Sequence, residues 1–168
     1  MGQDVGVQTD VNWLSEPEQR AWRAYLRGSR LLEAALDRDL ATQGVQLSEY
    51  EVISMLSEAP DERMRMSALA DLVVQSRSRI THTAARLEKR GWVRREACRD
   101  DRRGVLLVLT ETGAAALDEI ARRHVASVRA NLVDLLPPGE FAALGASFQK
   151  VCDTLAREYQ AGDARRAG

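Results

Sequence analysis

Apolar side chains recur at helical spacing over most of the chain, and the places where the period changes locate the remaining elements. Residues 1–14 show no period and read as an N-terminal tail. Ser15, Pro17 and Glu18 form a helix start, with Ser15 as N-cap, Glu18 closing a capping box and Pro17 in the first turn. Trp22, Tyr25, Leu26, Leu32, Leu36 and Leu40 then share one face until Gly44 stops the helix. A second helix is expected from Ser48 as N-cap with Glu51 closing its box, Leu47 stapling onto Val52, Ile53 and Leu56 continuing the buried face and Pro60 ending it. Met66-Ser67 opens a short third helix with Leu69, Leu72 and Val73 inward. A turn near Val74-Gln75 leads into a fourth, Ser76 to Arg90, closed by Gly91.

At Trp92 the period becomes that of strands. Residues 92–98 and 105–109 read as a β-hairpin joined by the charged loop 99–104. Thr110 caps a fifth helix with Leu117, Ile120, Ala121, Val125, Val128, Leu132 and Leu135 on its face, broken by Pro137-Pro138. Pro138 starts a sixth, whose Phe141, Leu144, Phe148, Val151, Leu155 and Tyr159 stand near heptad spacing. Residues 161–168 read as a tail. The fold class is mainly α with a small β-hairpin (α+β), organised as one domain over residues 15–160.

The fourth helix has a narrow apolar stripe of Ile80, Ala84 and Leu87, so most of its girth faces outward. Two adjacent short helices, the second polar and arginine-rich, form a helix-turn-helix pattern, and the hairpin after them forms a wing. Charge sharpens this. The 168 residues carry 24 basic and 25 acidic groups, a net charge of −1 that taken whole argues against nucleic acid. Divided by position, residues 1–62 carry −7, whereas residues 76–104 carry +6 with ten basic side chains. The candidate DNA contacts are therefore Ser76, Arg77, Ser78, Arg79, Thr81, His82 and Arg86 on the helix, and Arg99, Asp101, Arg102 and Arg103 on the wing. Arginine bonds guanine O6 and N7 in the major groove, serine and threonine suit phosphates, and a wing-tip arginine suits a narrow minor groove.

The segment Asp101-Arg102-Arg103-Gly104-Val105-Leu106-Leu107-Val108-Leu109-Thr110-Glu111-Thr112-Gly113 resembles the wing signature of the MarR (multiple antibiotic resistance regulator) family. Leu69-Ala70 and the run Leu87 to Arg95 match that family's helix-turn-helix and its exit into the wing, and the helix order agrees over roughly residues 15–160. The resemblance implies a bacterial, cytoplasmic, homodimeric regulator, usually a repressor, that binds a pseudo-palindromic duplex operator. Dimerisation helices would span about 15–44 and 110–160, and a DNA-binding lobe about 46–110 with its wing at 92–109. It also implies an aromatic or phenolic small-molecule effector. Arg103 would be the minor-groove arginine and Asp101 its positioning partner. Trp22, Tyr25 and Leu26 are the candidate effector pocket, with ordinary core packing as the alternative for the aromatics.

Other classes find little support. No run of about 18 apolar residues suggests a membrane span, and the N-terminus has no secretory pattern. Cys98 and Cys152 make no disulfide framework; Cys152 reads as a small core residue and His124 as a packed or interface histidine. No metal-ligand spacing, phosphate loop or nucleophile motif is present, so neither a cofactor nor an enzyme is expected. A winged-helix protein-interaction module and a helical small-molecule carrier without DNA binding stand as the alternatives.

Overall fold

The computed structural model describes residues 11–98 and 104–166, with side chains as far as residue 156. The elements are α1 (Glu16–Ala41), α2 (Leu47–Glu58), β1 (Arg63–Arg65), α3 (Met66–Leu72), α4 (Arg77–Lys89), β2 (Val93–Ala97), β3 (Val105–Leu109), α5 (Glu111–Asn131) and α6 (Pro138–Arg166). Helix α6 runs on through residues 161–166, which the sequence pattern had assigned to a tail. The chain divides into two compact units within α1, after Ala34. The reason lies in burial: of the 26 residues of α1 only Leu40, beyond that division, is buried.

In the first unit the Glu18 half of the expected capping box forms. The Ser15 backbone N–H and hydroxyl both donate to the Glu18 carboxylate, at 2.7 and 2.6 Å, which holds that carboxyl below its usual range.

In the second unit the start of α2 corrects the sequence reading. The N-cap is Gln46 rather than Ser48, and Glu49 rather than Glu51 closes the turn by accepting the Gln46 N–H at 3.0 Å. Leu47 is thus the first helical residue, not a staple outside it. The register is selected from outside the helix: the Asp37 carboxylate of α1 accepts the Leu47 N–H at 2.9 Å. A long-range acceptor outweighed the local serine.

The core gathers Leu40 and Val45, Val52, Ile53 and Leu56 of α2, Leu69 and Ala70 of α3, Ile80, Ala84 and Leu87 of α4, Val93, Leu107 and Leu109 of the strands, and Ile120 of α5. Ala70 takes the inward place on α3 that Leu72 had been expected to fill; Leu72 is exposed. The strands form an antiparallel sheet of order β1-β3-β2, with Val93 opposite Leu109 and Ala97 opposite Val105. Strand β1 is an addition to the expected hairpin. It pairs Arg63 with Val108 and Arg65 with Leu106, and three residues are too few to show a period in sequence.

Thr110 caps α5 as its sequence position suggested. Its hydroxyl accepts the Gly113 N–H at 3.0 Å and donates to the Gly91 carbonyl at 2.6 Å, while its own N–H reaches the Trp92 carbonyl at 3.0 Å. One threonine thereby pins α5 to the end of α4 and the start of β2. Further along, Ser127 bonds the Asp39 carboxylate, joining α5 to the end of α1. Helix α5 ends at Asn131, and a 3₁₀ turn over Val133–Leu135 precedes Pro137. Val125 and Leu135, expected inward, are exposed, as are Phe141, Phe148, Val151 and Leu155 of α6. Cys152 is also exposed rather than a core residue.

His124 of α5 stacks on Tyr50 of α2 with ring centroids 4.1 Å apart, and its buried Nδ1 has no hydrogen-bond partner among the described residues. Desolvation holds its pKa below the ordinary imidazole value.

Two outcomes follow from these contacts. A methyl group at Gly113 would press on the Trp92 carbonyl oxygen and lie 2.8 Å from the carbonyl carbon and 2.9 Å from Leu109 Cδ1. Gly113→Ala should lower stability by about 1–3 kcal/mol or more, because backbone must move, as a urea titration measures. For His124 the unfolded chain takes up a proton as pH falls through about 6.5 while the folded form resists it. Stability is therefore full above that pH and declines below it, and His124→Phe should flatten this dependence in thermal melts between pH 7.5 and 5.

Candidate nucleic-acid interface

Helices α3 and α4 are joined by the turn Val73–Gln75, and α4 begins with the Arg79 N–H donating to Ser76 Oγ at 3.2 Å. The inward stripe of α4 is Ile80, Thr83, Ala84 and Leu87; Ser76, Arg77, Ser78, Arg79, Thr81 and His82 are all exposed over its first turns. Thr81 spends its hydroxyl hydrogen on the Arg77 carbonyl at 2.7 Å. A cleft of about 330 Å³ opens beside this surface between Arg65, Ser67, Arg77, Thr81 and the base of β3. The Arg77 guanidinium and the Ser67 hydroxyl at this opening are donors suited to anionic oxygen.

The arginines of the basic segment fall into two sets. Arg94 pairs with Glu96 at 2.8 Å. Arg95 lies 3.5 Å from Glu88 and donates to the Thr81 carbonyl at 3.2 Å. Arg90 donates to the Gly44 carbonyl, lies 3.8 Å from Glu49 and covers the Trp92 ring at 4.8 Å. By contrast, no carboxylate among the described residues pairs with Arg77, Arg79 or Lys89, whose charge stays available. Arg99, Asp101, Arg102 and Arg103 lie outside the described residues.

Arg86, expected among the DNA contacts, is also bound within the protein. Its Nε donates to Glu49 Oε1 at 3.0 Å and its Nη2 to Gln46 Oε1 at 2.7 Å. The Glu49 side chain is only 2% exposed, so a buried carboxylate at the start of α2 grips the last turn of α4. Sequence reasoning passed over Glu49 because it assigned the capping role to Glu51. The usable signal was Gln46 followed three residues later by Glu49, just ahead of the apolar positions Val52, Ile53 and Leu56.

Trp22 and Tyr25 stand with ring centroids 5.6 Å apart in the first unit, both exposed, with Leu26 half-buried on the same helix. No group of three or more His, Cys, Asp or Glu side chains gathers among the described residues. No helix among them is long and apolar enough to cross a membrane.

A polar helix presented by a helix-turn-helix and followed by an antiparallel ribbon defines a winged helix-turn-helix protein. The MarR family profile matches residues 43–104, and AbsC, a MarR family transcriptional regulator from Streptomyces coelicolor, is 42% identical with a TM-score of 0.80 over 86% of this chain and 98% of its own. The chain belongs to the MarR family. Sco3205, a MarR family transcriptional regulator from the same organism crystallised in complex with DNA, is 39% identical, with a TM-score of 0.81 over 88% of this chain and 92% of its own. The HTH-type transcriptional regulator PecS of Dickeya dadantii (strain 3937) is 30% identical over 114 residues; these make up 67% of this chain and span 66% of PecS.

The Glu49 clamp generates a test. Arg86→Ala leaves a buried carboxylate short of its nearest cation and should cost about 1–3 kcal/mol, less than for a fully buried pair because the guanidinium is half exposed. Arg86→Lys cannot reproduce the two-pronged contact and should fall between. Denaturant titrations of the three proteins check the order.

Proposed function

We propose that this chain is a homodimeric repressor that binds a pseudo-palindromic duplex operator and is released by a small-molecule effector. One observation carries the reading: Arg86, Arg90, Arg94 and Arg95 of the same segment are tied to carboxylates, whereas among the described residues no carboxylate pairs with Arg77 or Arg79, which stand exposed at the N-terminal end of the recognition helix. That end of such a helix contacts base edges. Arg77 and Arg79 read bases, Ser76, Ser78, Thr81 and His82 hold phosphates and edges beside them, and Arg86 positions the helix from behind. Arg99, Arg102 and Arg103 of the wing reach the backbone and minor groove, with Asp101 orienting Arg103.

The lobe is residues 46–110, and helices over about 15–44 and 110–160 join two copies. Support for the second copy is the exposed apolar row of α6, Phe141, Val151 and Leu155. Recognition helices then enter successive major grooves about 34 Å apart. Trp22, Tyr25 and Leu26 are the aromatic contact for the effector. An effector works here by binding better to a dimer whose lobes are wrongly spaced, since only differential affinity shifts such an equilibrium. The protein acts by binding, in the cytoplasm, and not by catalysis.

Fluorescence anisotropy on duplexes selected from a random pool tests this. Affinity should fall steeply with salt, and removing one phosphate-contacting arginine should lower the slope by about one. Arg77→Ala or Arg79→Ala should relax preference at one base pair by about 1–3 kcal/mol. Absence of duplex binding at low salt, or a flat salt response, overturns the proposal.

A further inference from the structure

Val74, in the turn between α3 and α4, has φ +51°, the left-handed region. A β-branched side chain is a genuine outlier there. Among the described residues the other non-glycine positions with positive φ are Asp61 and Glu62, both acidic and exposed. Neighbouring contacts impose the conformation on Val74. The Gln75 N–H donates to the carbonyl of buried Ala70 at 2.9 Å, and the Val74 N–H to that of Asp71 at 3.3 Å, so the chain reverses tightly between two packed helices. Glycine is the residue that meets such a turn without cost, and helix-turn-helix turns often hold one.

The isopropyl group returns nothing to the fold in exchange. Val74 is 86% exposed, so it contributes almost no burial. It also stands two residues ahead of the Ser76 cap, at the end of α4 where Arg77 and Arg79 lack carboxylate partners among the described residues. Backbone strain kept at an exposed position, with no packing to offset it, points outside the chain. The apolar feature that duplex DNA offers in its major groove is the C5-methyl of thymine. We infer that Val74 is a specificity-determining residue that packs on a thymine methyl in each half-site; this rests on the DNA-binding function proposed for α4.

The test uses the full chain, its Val74→Gly and Val74→Ala variants, and a duplex selected by the unmodified protein. Each thymine is replaced in turn by deoxyuridine, which removes only the methyl. At one position per half-site the unmodified protein should lose about fourfold in affinity, the loss expected for one buried methyl. Both variants should be indifferent to that replacement while keeping their salt-dependent binding to random duplex. Val74→Gly should melt at the same or a higher temperature, since the strain is relieved. Identical deoxyuridine profiles for all three proteins overturn the inference even where the DNA-binding function holds. A fall in melting temperature for Val74→Gly makes the side chain structural and also overturns it. If the unmodified protein binds no duplex, the functional reading itself fails, and that is visible before any variant is compared.

Discussion

The carboxylate of Glu49 lies inside the protein, and a charge there has to be matched by cations and donors or it would cost several kcal/mol. Three groups match it: the Gln46 N–H at the start of α2, the Arg86 guanidinium and, at 3.8 Å, that of Arg90. The first of these makes the carboxylate a helix cap. The other two make it a clamp on the recognition helix. The angle at which α4 leaves the core is thereby tied to the first turn of α2, and α2 is tied to α1 through Asp37 and Leu47. Arg90 extends the same arrangement to the Gly44 carbonyl and the Trp92 ring, so the C-terminal end of α4 is held in one frame.

This arrangement also explains how a chain with net charge −1 presents a basic face. Arginine serves two purposes in residues 76–104. Arg86, Arg90, Arg94 and Arg95 build the lobe by bridging helices, strands and carbonyls, and their charges are locally cancelled. Arg77 and Arg79 hold the outer surface of the first turns of α4. Counting charge along the sequence finds the segment but not the division within it, because the carboxylate partner of Arg86 stands 37 positions away. The acidic balance of residues 1–62 then favours an oriented approach to a polyanion over indiscriminate attachment.

Local rules carried well where both partners of a contact are near in sequence. The Ser15 N–H with Glu18 and Thr110 with Gly113 form as their spacing suggests. The narrow stripe Ile80, Ala84 and Leu87 is buried as its period required, with Thr83 added. The same rules misplaced the start of α2, since Ser48 and Glu51 satisfy the capping pattern as well as any local test can ask. They missed β1, whose pairing with β3 joins residues more than forty apart. They also turned Leu72, Val125 and Leu135 inward, because a helical period identifies an apolar face but not whether this chain covers it.

The sequence by itself determined the order of the helices and the hairpin, the exposed polar face of the recognition helix and the family, because periodicity, caps and the wing signature are short-range patterns. Tertiary structure alone decided which arginines are spent inside the protein, which carboxylate holds them, and that Val74 sits strained and exposed at the head of the recognition helix. Those are properties of groups brought together across long separations, where a distant acceptor or a packed neighbour outweighs the local preference of the residue itself.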